Sequence, residues 1–336
     1  MKTHELKKIF KAFSAANEKK HKTVLASVVA LEGSSYRQPG VRMLIIENGD
    51  MVGAVSGGCV EKEVKRQAQS VFEKGIPKVM TYDGRYRLGC EGVLFILIEP
   101  FEPSSEVVEA FWQRIDTRKP IGIQSHFEPR IEENQGFGSQ LHVDEVTLPL
   151  RPVDQPYVGP TVLEQRLDAP FRLLIVGAEH DAVQLCAMAA LMGWEVIVVA
   201  PPNEEKELKD FPGAKAMAYA EAETLTVQGD VHTAIILMTH SYVKDLKFLL
   251  QLKSHRFAYF GILGPARRRE KLFHEALEHD PDLSLEFLES VNGPAGLDIG
   301  ADTPQEIALS ILAEILGTTR NRDGSPLKDK EGRIHA

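Results

Sequence analysis

The stretch "FRLLIVGAEHDAVQLCAMAALMGWEVIVVA", residues 171–200, decides the fold of the C-terminal half. Its first eight residues, FRLLIVGA, form a short apolar run that predicts a buried strand. AVQLCAMAALMG predicts a helix ending at a glycine, and WEVIVVA predicts a second buried strand. A strand, a helix and another apolar strand together predict a βαβ unit with parallel strands.

The alternation continues toward the C-terminus. Two more strands and a helix between them are predicted by HTAIILMTH (232–240), DLKFLLQLK (245–253) and FAYFGILG (257–264). DTPQEIALSILAEILG then predicts a closing helix, with Thr303 as its cap and Gly317 as its stop. We therefore predict a Rossmann-like parallel-sheet domain over residues 170–320 and a tail over residues 321–336.

The N-terminal half has a different pattern, which predicts a small α+β domain over residues 1–165 that includes a linker. In TVLASVVAL, RMLIIENGDMVGAV and GVLFILIEP the apolar runs predict strands, and the dipeptide Asn48-Gly49 predicts a hairpin with a type I′ turn. CVEKEVKRQAQSVFEKG predicts an amphipathic helix that ends at Gly75. The chain as a whole is thus of the α/β class, with a seam near Pro170.

Composition excludes several classes of protein. The chain has 336 residues and a net charge of −9, which argues against nucleic acid as the main partner. The N-terminal MKTHELKKIFKAF predicts a polar amphipathic helix rather than a signal peptide, and we expect no membrane span. Three cysteines without a CxxC pair do not form a disulfide framework or an iron–sulfur ligand set. A cytoplasmic location is the expectation.

The first β–α turn of the Rossmann-like half tests for a dinucleotide site. The pattern needs G-x-G-x-x-G/A, and the chain reads GAEHDA. Gly177 and Ala182 fit, but Glu179 places a carboxylate where the backbone normally approaches a pyrophosphate. The second strand ends at Ala200 instead of the acid that binds ribose hydroxyls. The pattern therefore argues against NAD(P) binding, although an NAD(P)-binding oxidoreductase stays open as the alternative function.

Polar residues nevertheless follow several strands at the carboxyl edge of the predicted sheet. Thr239 and His240 end one strand, Arg267 and Arg268 follow the next, and Asp298 precedes the last helix. Open α/β sheets bind ligands at this edge, so we expect these residues to line one pocket. Taken singly, each is as well explained as a loop hydrogen-bonding residue or a solvated charge.

In the N-terminal half, AVSGGCVEKEV places a thiol at the start of a helix. Gly57 and Gly58 allow amides to converge, and the helix adds its positive end, so the turn predicts an anion nest. The same field favours a thiolate at Cys59, which is also a soft metal ligand. A small buried cysteine in tight packing is the structural alternative.

Other candidates in this half are weaker. Cys90 is bracketed by glycines but precedes a strand, and Cys186 lies mid-helix in the other half, where a core role is expected. Ser34, Ser35 and Arg37 lie in a glycine-bounded loop that could hold a phosphate or form a plain turn.

Motifs in both halves resemble those of the xanthine dehydrogenase accessory factors, the XdhC/CoxI family. The matching segments are GSSYRQPGVRM (33–43), GAVSGGCVE (53–61), LGCEGVLFILIEPF (88–101), THSYVKD (239–245), YFGILGPARRREKL (259–272) and GLDIGADTPQEIALSILAEI (296–315). The family's turn usually reads G-x-G-H, which His180 matches and Glu179 does not.

The resemblance implies a chaperone rather than a turnover enzyme. Family members transiently bind the molybdopterin-type molybdenum cofactor, assist its sulfuration and deliver it to an apo molybdenum hydroxylase such as xanthine dehydrogenase. Cys59 would be the functional cysteine and the metal ligand. The cofactor-binding set implied by motif and edge position is Ser34, Ser35, Arg37, Gly57, Gly58, Cys59, Cys90, Gly177, His180, His240, Arg267, Arg268 and Asp298.

Two further expectations concern partners. A cysteine desulfurase could supply the sulfur. Apolar strands expected in residues 121–150 suggest a homodimer.

Overall fold

The computed structural model describes residues 1–33, 38–56, 58–84, 92–226 and 229–331, and for Cys59 the backbone alone. The chain divides into two compact units, residues 1–170 and 171–336. Each unit has its own hydrophobic core and its own sheet system.

The elements of the first unit in chain order are α1 (Thr3–Glu18), β1 (Thr23–Glu32), β2 (Arg42–Ile46), β3 (Met51–Gly53), α2 (Cys59–Lys74), β4 (Lys78–Asp83), β5 (Val93–Pro100), α3 (Ser105–Asp116), β6 (Ile121–Phe127), β7 (Glu132–Glu133), β8 (Gly138–Val143), β9 (Val146–Pro149) and β10 (Thr161–Leu167). The strands form two antiparallel sheets, with strand orders β3-β2-β1-β5-β4-β7 and β10-β6-β8-β9.

The six-stranded sheet is covered on both faces, which explains the almost uninterrupted burial of β1. Val24, Ala26 and Val28 face α2 and pack against its buried residues Val60, Val64, Ala68 and Val71. The intervening residues of β1, such as Leu25 and Val29, face α1, α3 and the four-stranded sheet. The six-stranded sheet is therefore the central layer of this unit.

Most of the segment after residue 100 forms regular elements of the first unit. It supplies α3 and all four strands of the second sheet. β6 alternates buried and partly exposed residues along its whole length, as expected for a sheet with one solvated face. Its pairing with β10 joins residues about forty positions apart, and so no local pattern reveals it.

The hairpin predicted at Asn48-Gly49 is present between β2 and β3, but the prediction of a type I′ turn is wrong. The loop has four residues, closed by the amide of Ile46 on Asp50 O at 2.9 Å. Gly49 has φ +96°, whereas Asn48 is not in the left-handed region. The Asn48 side chain instead accepts from the amide of Asp50 at 3.0 Å, and this local bond stabilises the longer loop.

The second unit is a six-stranded parallel sheet with helices on both faces. Its elements are β11 (Arg172–Val176), α4 (His180–Leu191), β12 (Glu195–Ala200), β13 (Ala216–Tyr219), β14 (Thr233–Leu237), α5 (Tyr242–Leu252), β15 (Tyr259–Ile262), α6 (Ala266–His279), α7 (Leu285–Ser290), β16 (Val291–Asn292) and α8 (Pro304–Thr319). The strands lie in the order β13-β12-β11-β14-β15-β16, which in sequence order is 3-2-1-4-5-6. This is the order of Rossmann domains, and it confirms the predicted fold class.

The predicted cap of α8 is confirmed, because the hydroxyl of Thr303 accepts from the amide of Glu306 at 3.3 Å. The predicted stop at Gly317 is wrong, since the helix continues to Thr319. A Cβ at Gly317 would lie 2.9 Å from Arg322 O, so the glycine is needed where the chain folds back against the helix.

Candidate functional site

The start of α2 is built around Gly58. Gly58 precedes the first helical residue, Cys59, and has φ +126°, which favours glycine. Its amide and that of Val60 both donate to the hydroxyl of Ser56, at 3.3 and 3.4 Å. A Cβ added to Gly58 would meet no atom within 4 Å, so the backbone angle rather than space requires the glycine. Gly57 and the side chain of Cys59 lie outside the described residues.

The carboxylate of Glu61 closes this helix start. Ser56 donates its amide to one carboxylate oxygen at 2.7 Å and its hydroxyl to the other at 2.8 Å. Burial disfavours the charge of Glu61, which is 7% exposed, but the hydrogen bonds from Ser56 and the backbone outweigh it and hold the pKa of Glu61 below its usual value.

The expectation of an open anion nest at this turn needs correction. The amides of Ser56, Gly58 and Val60 bond to the hydroxyl of Ser56 or the carboxylate of Glu61. An incoming phosphate would therefore compete with a carboxylate of the chain itself. Glu61 also adds a negative charge to the helix start that was expected to favour a thiolate.

Between the two sheets of the first unit lies a buried polar chain. Nη2 of Arg42 lies 3.5 Å from Ser125 Oγ, which in turn lies 2.8 Å from Ser139 Oγ. Ser139 then donates both its hydroxyl, at 2.5 Å, and its amide, at 2.8 Å, to the carboxylate of Glu99. Burial lowers the pKa of Arg42 to about 10 and raises that of Glu99. Arg42 also donates to Gln165, and to Gly40 O at 2.9 Å, which anchors the chain just before β2.

Both charged residues belong to the matched motifs GSSYRQPGVRM and LGCEGVLFILIEPF, yet the strand pattern predicts neither as a site. The signal that could have found them is a single charge within an otherwise apolar strand, in RMLII and in VLFILIEP. Such a charge is expected to be paired when the strand is buried on both faces.

Several predicted residues of the first unit lie outside the described residues, namely Ser34, Ser35, Arg37 and Cys90. Cys186, in the second unit, is confirmed as a core residue. It is 0% exposed in the cluster formed by α4, α8 and the sheet, and burial raises the pKa of its thiol to about 11.

In the second unit, a cavity of about 110 Å³ lies at the carboxyl edge of the sheet, beside the ends of β11, β12 and β14. Its apolar wall includes Val176, Val199, Ala220 and Phe248. Its polar lining is Glu179, Glu204, Glu221, Thr239, Ser241 and Lys244. This is the crevice at the topological switch point, where open α/β sheets bind ligands.

The loop between β11 and α4 forms one side of the cavity. Gly177 has φ +134°, and a Cβ there would lie 2.3 Å from Met238 O, so contact with the neighbouring strand already requires glycine. Glu179 is the N-cap residue of α4, is exposed, and makes no side-chain cap hydrogen bond. His180, the first helical residue, is exposed and does not line the cavity.

The sequence pattern misses Glu204. The acid expected at the end of β12 is absent at Ala200, but a tight turn, with the amide of Glu204 on Pro201 O at 3.0 Å, brings Glu204 into the cavity lining. Oε1 of Glu204 accepts from the amides of the next two residues, each at 3.1 Å. A proline pair after a strand, followed by an acid, is the signal that could have located it.

The loop after β14 is held by Asp245, which is 0% exposed. Asp245 accepts from the hydroxyl of Thr239 at 2.6 Å and from Nη2 of Arg268 at 2.7 Å. This clamp joins two of the predicted edge residues. His240 has φ +56°, and its Nε2 lies 3.5 Å from Asp181 Oδ2, a pair that the motifs do not predict.

The five edge residues that were predicted to line one pocket do not all line this cavity. Thr239 lines it, but His240, Arg267, Arg268 and Asp298 do not. Arg268 is engaged with Asp245, while Arg267 and Asp298 are exposed on other segments.

Within the described residues, no group of three or more His, Cys, Asp or Glu side chains could hold a metal ion. In that part of the chain there is also no helix with the length and apolar character needed to cross a membrane.

The fold and the site define a two-domain protein whose Rossmann domain replaces the pyrophosphate glycine with glutamate and whose N-terminal domain starts a helix at a Gly-Cys pair. Two family models match it, one described as XdhC and CoxI family over residues 16–83 and one described as XdhC Rossmann domain over residues 173–315. The chain belongs to the XdhC and CoxI family.

Similar proteins cover both units. A Bacillus subtilis protein described as a probable subunit of xanthine dehydrogenase is 29% identical, over 90% of this chain and 95% of its own length. The molybdenum cofactor insertion chaperone PaoD of Escherichia coli is 25% identical, over 87% of this chain and 82% of its own. A solved structure described as a xanthine dehydrogenase from Bacillus halodurans has a TM-score of 0.77 and 24% identity over 98% of both chains, which shows the shared fold.

Proposed function

We propose that the protein is an accessory factor of a xanthine dehydrogenase-like molybdenum hydroxylase, which binds the molybdopterin-type molybdenum cofactor and assists its sulfuration and insertion. The observation that carries this proposal is the similarity to a molybdenum cofactor insertion chaperone over most of both chains. In this proposal the cofactor is cargo, and the protein releases it to the apo-enzyme.

Cys59 is the residue to which we assign the cargo. It is the first residue of α2, directly after the left-handed Gly58. A thiolate there is a suitable soft ligand for molybdenum. The amide of Ser56 donates to the carboxylate of Glu61 at 2.7 Å. This hydrogen bond would have to break if the phosphate of the cofactor occupied the same turn.

The proposal extends to location and partners. The protein acts in the cytoplasm, as a homodimer, and receives sulfur from a cysteine desulfurase. Size-exclusion chromatography with light scattering tests the dimer, and a pull-down with the purified desulfurase tests the sulfur donor.

Anaerobic co-purification tests the function. The wild-type protein should retain molybdenum and a pterin absorbance and should activate a cofactor-free hydroxylase. Cys59→Ser should lose both properties while keeping its circular dichroism spectrum, since serine is close in size and suits a helix start. Cys186→Ala is the matched control and should keep both, because that thiol is buried in the core of the other unit.

Full molybdenum retention and full activation by Cys59→Ser would contradict the assigned residue. Absence of molybdenum and pterin from the wild-type protein, together with no activation of the hydroxylase, would contradict the function itself.

A further inference from the structure

The cavity of the second unit presents hydrogen-bond acceptors. Its polar lining contains three carboxylates, from Glu179, Glu204 and Glu221, and the ammonium of Lys244. Lys244 Nζ lies 3.9 Å from Glu221 Oε1, so its charge is already directed to a carboxylate. Lys206, which does not line the cavity, has its Nζ 3.9 Å from Glu204 Oε1. The lining itself holds three carboxylates and one ammonium and so carries an excess of negative charge.

The hydroxyls of the cavity are already used within the protein. Thr239 donates to the buried Asp245 at 2.6 Å and accepts from the amide of Ser241 at 3.2 Å. Ser241 caps α5 by accepting from the amide of Lys244 at 3.5 Å. The hydroxyl of Thr239 is therefore not available to a ligand. The carboxylates of Glu179, Glu204 and Glu221 outnumber the donors of the lining, which favours a ligand that offers donors over an anion.

Glu204 and Glu221 suit a vicinal diol. In Rossmann domains an acid after the second strand bonds the ribose hydroxyls. Here Glu204 follows β12 and is fixed by two backbone amides, while Glu221 follows β13, the neighbouring strand. The apolar wall formed by Val199, Ala220 and Phe248 suits the face of a planar base.

Glu179 restricts the charge that the ligand can carry at its 5′ position. As the N-cap residue of α4 it places a carboxylate where a 5′-phosphate would approach the helix. A carboxylate and a phosphate that approach each other repel, because both are negatively charged. Among the described lining residues the single cation is Lys244, whose Nζ lies 3.9 Å from Glu221 Oε1, and no ion pair joins it to Glu179.

We propose that this cavity binds a ribonucleoside with a free 2′,3′-diol and with no negative charge at its 5′ position. The ligand class includes free nucleosides and nucleosides that carry a neutral or cationic 5′ substituent. The cavity belongs to the second unit, whereas the proposed cargo residue Cys59 belongs to the first, and a phosphorylated cargo is not the ligand of this cavity.

Isothermal titration calorimetry on the full chain tests the proposal. The probes are adenosine, guanosine, cytidine and uridine, their 5′-monophosphates, and the 2′-deoxynucleosides. At least one ribonucleoside should bind with a dissociation constant below about 1 mM, at least tenfold more tightly than its 5′-monophosphate and its 2′-deoxy form.

Three substitutions assign the roles. Glu204→Gln should weaken nucleoside binding at least tenfold. Glu179→Gln should leave the affinity for the nucleoside unchanged but should remove most of the preference for the nucleoside over its 5′-monophosphate. Glu205→Gln is the matched control, since Glu205 is exposed in the same turn and does not line the cavity. Circular dichroism verifies that each variant is folded.

Failure of all four ribonucleosides to bind the folded wild-type protein overturns the proposal. A monophosphate that binds as tightly as its nucleoside, or equal effects of Glu204→Gln and Glu205→Gln, also overturns it. Cys59→Ser should leave nucleoside binding unchanged and Glu204→Gln should leave molybdenum retention unchanged, so the two proposals can fail independently.

Discussion

Arg42 and Glu99 are bridged by two serine hydroxyls inside the first unit. A guanidinium can only donate and a carboxylate can only accept, so the hydroxyl protons must point from Ser125 to Ser139 and from Ser139 to Glu99. Every bond in the bridge is polarised in the same direction, which strengthens the chain in a low-dielectric interior. The bridge therefore fixes the two sheets in one register at the point where they pack.

Removing one end of this bridge should be costly. Arg42→Met leaves Ser125 Oγ and Gly40 O without their buried donor and removes one of two cations that act on Glu99, the other being Arg151. We expect the first unit to lose about 1–3 kcal/mol of stability. In the double variant Arg42→Met/Glu99→Gln the loss should be smaller than the sum of the two single losses. Urea unfolding in a Trp194→Phe background, with Trp112 reporting on the first unit, measures the cycle; additive losses would show that the bridge is not a unit.

Glu61 should make stability depend on pH. Its pKa is depressed in the folded state, so its contribution is present above the unfolded pKa of about 4.3 and is lost as the pH falls through the folded value. Glu61→Gln should cost about 1.5–3 kcal/mol at pH 7. Urea unfolding of both proteins from pH 7 to pH 3 should show the difference shrinking below about pH 4.5. A constant difference over that range would contradict the assignment.

The clamp at Asp245 should be the main polar support of the second unit's ligand edge. Asp245→Asn leaves Arg268 without its buried carboxylate, and a loss of about 3–5 kcal/mol is expected. Arg267→Gln, at the exposed neighbouring position, should change stability by less than about 0.5 kcal/mol. Urea unfolding in a Trp112→Phe background, followed by the fluorescence of Trp194, compares the free energies of unfolding of the two variants. Similar losses in both would show that the clamp at Asp245 does not stabilise the unit more than an exposed residue does.

The loop before α4 should govern dinucleotide binding. Wild-type protein should bind NAD and NADP with dissociation constants weaker than about 1 mM, because Glu179 lies where the pyrophosphate would sit. Glu179→Gly restores the G-x-G spacing, and NAD affinity should rise at least tenfold by calorimetry. Low-micromolar NAD binding by the wild-type protein would refute the reasoning, as would a variant with no gain.

The parallel half of the fold is predictable from sequence because its signals are local. Residues 171–200 contain a complete strand–helix–strand pattern, and Thr303 with Glu306 forms a capping box that sequence spacing alone specifies. Gly317 is the exception, because its role depends on Arg322 folding back, a contact between segments that no periodicity encodes.

The candidate sites are less predictable because they depend on contacts between segments, which a local sequence pattern does not encode. Glu204 reaches the cavity through a turn, and Glu61 reaches Ser56 through the geometry of a left-handed glycine, so neither acid stands at the position that a linear motif would assign. In the four-stranded sheet the hairpin of β8 and β9 is local, but the pairing of β6 with β10 joins distant segments and cannot be read from a local pattern. Motif resemblance located the Gly58–Cys59 turn, but it could not show that a carboxylate of the chain already occupies the amide of Ser56.

That carboxylate acts as a tethered competitor. Because Glu61 is joined to the turn by only a few residues, its effective concentration there is of the order of millimolar or higher. Any external anion at this helix start must exchange with it, and the apparent affinity falls accordingly. For the proposed cargo, this exchange would favour short residence over tight binding, because Glu61 can take back the amide of Ser56 as the anion departs.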